Sequence, residues 1–122
     1  MKKVVVIGTM AVALLCMPCA FGQVAISYAH VFRARTLAGT VKVEFGAPVK
    51  GVKVEECTQN WKTVLSSTVT DENGHFSFAE KPGRGLHYLR LLSPGLNITL
   101  VKVRTTRLAH HKELSLPMHV AA

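Results

Sequence analysis

The chain has 122 residues, 48% of them apolar and 18% charged, with a formal net charge of +8 at pH 7. That length suits one domain of ordinary size and excludes a multidomain enzyme, a doubly wound cofactor fold or an α/β barrel. The apolar residues concentrate in the first 22 positions, so the remainder has a globular composition with a basic balance and not that of a membrane protein.

Met1-Lys2-Lys3, the nearly uncharged apolar run from Val4 to Leu15, and the small residues Ala20 and Gly22 ahead of Gln23 are the three parts of an export signal. Cleavage is expected between Gly22 and Gln23, giving a secreted or periplasmic protein. The apolar run is shorter than the roughly 20 residues a bilayer-crossing helix needs, so no stable membrane span is expected after cleavage. Leu15 and Pro18 precede Cys16 and Cys19, a poor match to a lipid-attachment signal. Cys57 is then the only cysteine left, which rules out an internal disulfide framework. A lone thiol of this kind is expected to pack as a small buried hydrophobe.

Residues 23–37 read as an N-terminal arm, a short helix or an added strand. Beyond them no segment keeps a helical apolar period, and short runs rich in Val, Leu, Phe and Thr are separated by Gly, Pro and Asn. Thr40 to Phe45 alternates, with Val41, Val43 and Phe45 on one face, and ends at Gly46-Ala47-Pro48. Val52 and Val54 alternate with Lys53 and Glu55 up to Cys57. Thr63 to Thr70 follows and stops at Asp71-Glu72-Asn73-Gly74, whose Asn-Gly pair is the strongest hairpin signal in the chain. Phe76 and Phe78 share a face of the returning strand.

The loop Lys81-Pro82-Gly83-Arg84-Gly85 leads to a strand over His87 to Leu92, and Ser93-Pro94-Gly95 turns the chain again. Asn97 to Arg104 is expected to carry a bulge, because strict alternation fails between Leu100 and Val101. Glu113 to Val120 places Leu114, Leu116, Met118 and Val120 on one face, while Pro117 points away and marks an edge strand. About seven strands result, the pattern of a small Greek-key β-sandwich spanning residues 38–122.

Three blocks carry a resemblance. Gly39-Thr40-Val41 with Gly46-Ala47-Pro48-Val49-Lys50-Gly51-Val52-Lys53-Val54 is the first. Thr68-Val69-Thr70-Asp71-Glu72-Asn73-Gly74-His75-Phe76-Ser77-Phe78 is the second. Pro82-Gly83, Gly85-Leu86-His87-Tyr88-Leu89-Arg90-Leu91 and Ser93-Pro94-Gly95 form the third. In this order they resemble the carboxypeptidase regulatory-like domain, a transthyretin-like all-β sandwich, over roughly residues 38–104. The resemblance implies the fold and an accessory, non-catalytic module in a secreted or envelope protein; it assigns no chemistry.

No catalytic set converges in the sequence, and neither a cofactor nor a metal is expected. His30, His75, His87, His110, His111 and His119 lack the spacing of a closed metal site and read as scattered surface residues. Transthyretin-like hydrolases of 5-hydroxyisourate are similar to one another in a C-terminal Tyr-Arg-Gly-Ser motif, whereas this chain ends His119-Val120-Ala121-Ala122. Intradiol dioxygenases need two tyrosines and two histidines around iron, and only Tyr28 and Tyr88 are present. Glu56 and Thr58 flank Cys57, and an acidic neighbour disfavours a reactive thiolate.

Four residues are candidates for ligand binding. Trp61, in the polar turn Thr58-Gln59-Asn60-Trp61-Lys62, either stacks on a sugar ring, as in a carbohydrate-binding module, or caps one end of the core. Arg104, Arg107 and Lys112 form the densest basic group, which Arg33, Arg35 and Lys102 extend, and His110 and His111 lie beside it. Export and the absence of a nucleic-acid motif point away from DNA or RNA. The partner class left is a protein or an envelope polymer of negative charge.

Overall fold

The computed structural model describes residues 24–44, 46–78 and 83–121. The export segment lies outside the described residues, as do Phe45, Lys81 and Pro82. Among the described residues there are eight strands, β1 Ala25–Ala34, β2 Ala38–Val43, β3 Lys53–Cys57, β4 Val64–Val69, β5 His75–Ser77, β6 Gly85–Leu92, β7 Ile98–Thr105 and β8 Leu114–Met118, and a 3-10 turn at Gln59–Trp61. They make a five-stranded sheet in the order β1-β7-β6-β3-β4 and a three-stranded sheet in the order β5-β2-β8. Both sheets are mixed, since β1 runs parallel to β7 and β2 parallel to β8.

The alternation of the sequence becomes the packing between the layers. Val41, Phe76, Leu114, Leu116 and Met118 from the small sheet bury themselves in one core with Val54, Leu89, Leu91, Val101 and Val103 from the large one. Gly39 lets β2 and β8 pair closely, because a Cβ there would collide with the backbone carbonyl of Leu114.

Of the three forms open to residues 23–37, the chain takes the added strand. β1 lies at the edge of the large sheet, and its register against β7 slips between Ser27 and Val31. The irregularity expected between Leu100 and Val101 is therefore carried by the neighbouring strand. The β6–β7 ladder runs unbroken from Gly85–Thr105 to Leu91–Thr99. No shift is needed because Thr99 occupies an inward position with Val101 and Val103, its hydroxyl satisfied by donation to the Asn97 carbonyl.

The turn that reads as a hairpin is a crossing between the sheets, and the β2–β3 connection is another. β4 belongs to the large sheet and β5 to the small one, so Asp71-Glu72-Asn73-Gly74 makes a tight turn without joining paired strands. The turn itself is well formed. Asp71 and Gly74 close it through the backbone, and the Asp71 carboxylate accepts from the amides of Asn73 and His75 at 2.9 and 3.0 Å. What sends the chain across is the clamp before it. The Thr70 hydroxyl donates to Val49 O and accepts from Val52 N, tying the end of β4 to the approach to β3. Gly74 then seats against β2, donating nothing to it but receiving the Val41 amide on its carbonyl at 2.9 Å. The segment from β2 to β3 also crosses, after Val43–Ala47 and Val49–Val41 hydrogen bonds close a short loop. Asn-Gly fixes local backbone geometry, and long-range contacts decide which sheet receives the next strand.

On β8 the alternation holds through Met118, with Pro117 turned away at the sheet edge as expected. Val120 is not on the buried face. The strand ends before it, and Val120 forms a lone bridge to Leu96, leaving it 54% exposed.

Gly74 has φ +75° and an added Cβ would lie 2.8 Å from Val41 O, so Gly74→Ala combines left-handed strain with a backbone collision. It is expected to lower unfolding stability by at least about 1 kcal/mol, read as a reduced denaturant midpoint. The amides of His75 and Asn73 hold the Asp71 carboxyl below its ordinary value. The contribution of the charged carboxylate is thus full above about pH 4, the unfolded value, and fades as pH falls through the lowered folded value. Asp71→Ala should accordingly lower the unfolding midpoint at pH 7, and the gap from wild type should narrow in strong acid.

Candidate functional site

The strand order gathers five of the six arginines at one end of the sandwich; the sixth, Arg90, pairs with Glu55 within the large sheet. Arg33 on β1 and Arg104 on β7 are register neighbours. The chain leaving β1 is held to the segment before β8, since Lys112 O accepts the amides of Arg35 and Thr36 at 3.2 and 3.1 Å. Thr106 N donates to Ala34 O, which brings the 106–113 loop, with Arg107 and Lys112, to the same end. Arg84 arrives from the start of β6 and lines a cleft together with Arg35. Like charges on neighbouring strands repel, and among the described residues none of Arg33, Arg35, Arg84, Arg104 or Arg107 has an ion pair. Leu108, 93% exposed, stands at the tip of the loop between them.

Glu113, the acidic residue beside this basic end, is turned to His75 at 3.3 Å. Glu56 is likewise occupied. Its Oε2 lies 2.8 Å from His87 Nδ1, and the other ring nitrogen of His87 lies 2.8 Å from Gly83 O. His87 is only 8% exposed, so it departs from the surface placement expected for the histidines: it occupies an inward β6 position in line with Leu89 and Leu91. This chain of contacts fixes the backbone at Gly83 next to Arg84.

Sequence reasoning grouped Arg104, Arg107 and Lys112, and the fold brings them together, adding Arg33 and Arg35 across the β1–β7 pairing. It missed Arg84. The signal available was an arginine set between Gly83 and Gly85, where only backbone placement decides its position. His110 and His111 lie in the loop and not on a strand, their rings edge to face at 4.9 Å.

Trp61 is elsewhere, beside the large sheet. Its indole N–H donates to Leu89 O at 2.9 Å, and its ring meets Tyr88 edge-on with centroids 5.2 Å apart. Tyr88 is an aromatic neighbour distant in sequence, but the rings are perpendicular at 89° and offer no shared plane for a sugar. Beneath this corner Cys57 is buried as expected. Burial pushes its thiol up and Glu55 and Glu56 add to the rise, with Arg90 opposing.

The remaining acid–base chain joins Tyr28, His119 and Glu44. Tyr28 Oη lies 2.9 Å from His119 Nε2, while His119 Nδ1 is 3.6 Å from Glu44, beyond hydrogen-bond reach. Burial raises the Tyr28 phenol, the opposite of what a phenolate base requires. The contact fastens β1 to the segment after β8. Among the described residues no three His, Cys, Asp or Glu side chains gather to hold a metal ion, and no helix is long and apolar enough to cross a membrane.

Compared with known proteins, the chain matches no family model and no curated sequence. The functional reading therefore rests on the residues themselves.

Removing the His87 ring would leave the largely buried Glu56 carboxylate without its partner. His87→Ala is expected to cost about 1–3 kcal/mol, measured by urea unfolding, whereas the exposed pair His75–Glu113 should contribute under about 1 kcal/mol.

Proposed function

We propose that this chain is an exported, non-catalytic β-sandwich module that binds an anionic polymer or acidic protein of the cell envelope through its basic end. The observation that carries the reading is the convergence of Arg33, Arg35, Arg84, Arg104, Arg107 and Lys112 from four separate stretches of chain onto one end of the molecule, where Glu56 and Glu113, nearby carboxylates among the described residues, are already engaged. Such a concentration of uncompensated charge attracts polyanions and speeds their capture.

Polarity of the fold supports it. Ala25 pairs with Ile98 and Ala121 N donates to Gly95 O, so both described termini lie at the opposite end. The finer reading, a Greek-key sandwich of the carboxypeptidase regulatory-like type, draws on the three sequence blocks and on the two-sheet architecture. The non-catalytic reading draws on the buried, closed Glu56–His87 pair and the raised Tyr28 phenol, neither suited to acid–base work on a bound substrate. Trp61, with its N–H committed to Leu89 O, serves as a cap to the sheet rather than a platform.

Replacing Arg104, Arg107 and Lys112 together by alanine should weaken binding to immobilised polyphosphate at least about tenfold and flatten its dependence on salt. Binding left unchanged by the triple replacement, with the fold intact by circular dichroism, would count decisively against the basic end as the contact surface.

A further inference from the structure

The basic end contains more than surface charge. Between the ends of the two sheets lies a cleft of about 360 Å³, within the size range of ligand pockets. Arg35 and Arg84 line it, Leu37 and Phe78 provide an apolar wall, and Ser77 and Thr105 supply hydroxyls. Leu37 is buried and Phe78 half-buried against the core, so the wall is part of the sandwich interior opened to solvent.

We propose that this cleft is a subsite for a uronic-acid residue, which makes the ligand of the basic end an acidic polysaccharide. The inference rests on the reading of that end as a polyanion-binding surface and deepens it. A polyphosphate needs only cations, and Arg104, Arg107 and Lys112 already supply them outside the cleft. An apolar wall adjoining two arginines asks for a ligand that carries a carboxylate beside a surface of C–H groups. A uronate ring has this combination: its carboxylate suits the fork of a guanidinium, its C–H face suits Phe78, and its hydroxyls suit the polar rim. Ser77 Oγ has no hydrogen-bond partner among the described residues, so it is available to such a hydroxyl. Thr105 Oγ1 receives the Gly85 amide at 3.1 Å and lies 3.4 Å from Gly83 O, so it shapes the wall more than it reaches the ligand.

The cleft is also held in advance of binding. Arg35 N donates to His111 O and Lys112 O, fixing one side. On the other side, Gly83 and Gly85 flanking Arg84 are tied to His87 and Thr105. Both arginines thus project from pinned backbone, which reduces the ordering cost of capturing the ligand.

The test compares two probes of the full chain by calorimetry or fluorescence anisotropy, a short oligogalacturonate and inorganic polyphosphate, at one ionic strength. Phe78→Leu and Phe78→Ala, neither changing charge, should weaken oligogalacturonate about tenfold, the loss of one well-formed contact surface, and leave polyphosphate within about twofold. Methyl-esterified oligogalacturonate, which keeps the rings and loses the carboxylates, should bind wild type at least about tenfold more weakly than the acid form. If esterification weakens oligogalacturonate but neither Phe78 variant does, the subsite is refuted while the polyanion surface stands; if esterification has no effect, the polyanion reading falls with it. If neither probe binds, both fail together. Phe78→Leu, which keeps most of the apolar volume, separates loss of contact from loss of fold, with unfolding midpoints measured on both variants.

Discussion

The whole arrangement depends on how the chain crosses between its two sheets. The clamp at Thr70, whose hydroxyl bridges Val49 O and Val52 N, together with the seating of Gly74 against Val41, prevents β4 and β5 from closing as a simple hairpin. Each sheet acquires its inward face only because the crossings divide the strands between them. Phe76 reaches the same interior as Leu89 and Val101 for that reason, and the buried core is continuous. Once the crossings are set, β1 and β7 run parallel and end together with Arg33 and Arg104 side by side, and the segments that follow them carry Arg35 and Arg107 to the same end.

Much of this was readable from the residues. The period-two patterns of Val41 and Val43, of Val52 and Val54, and of Leu114, Leu116 and Met118 located their strands because burial of one face leaves a direct mark on sequence. The burial of Cys57 and the grouping of Arg104, Arg107 and Lys112 were legible for the same local reasons. Partnership across the chain was not. Asn73-Gly74 specifies a turn and says nothing of the sheet that lies beyond it. Glu56 and His87 are 31 positions apart, and Trp61 meets Leu89 across 28. The parallel pairing of β1 with β7 leaves no short-range signature, so neither the strand character of residues 25–34 nor the neighbourhood of Arg33 and Arg104 could be read from local pattern.

Local and global demands also conflict in informative places. Thr99 breaks the apolar pattern of β7 yet sits fully inside, because its hydroxyl is satisfied locally by Asn97 O. Val120 continues the pattern of β8 yet lies outside, because the strand has ended. Arg33 beside Arg104 is the conflict on which the proposed function draws: two like charges on neighbouring strands repel unless an anion comes between them. Their pairing lies next to a cleft lined by two further arginines, Arg35 and Arg84. The opposite end, where the described termini meet Gly95 and Ile98, has no comparable cluster of arginines among the described residues.

The most direct test of the claim that this basic end is the binding surface is a residue-resolved titration. Amide chemical shifts of the isotopically labelled protein would be followed as oligogalacturonate is added. Perturbations should concentrate in residues 33–38, 83–85 and 104–112 and leave the 93–97 loop and the Trp61 corner unmoved. Shifts centred on Trp61 or on the 93–97 loop, or none anywhere at saturating ligand, would contradict the account.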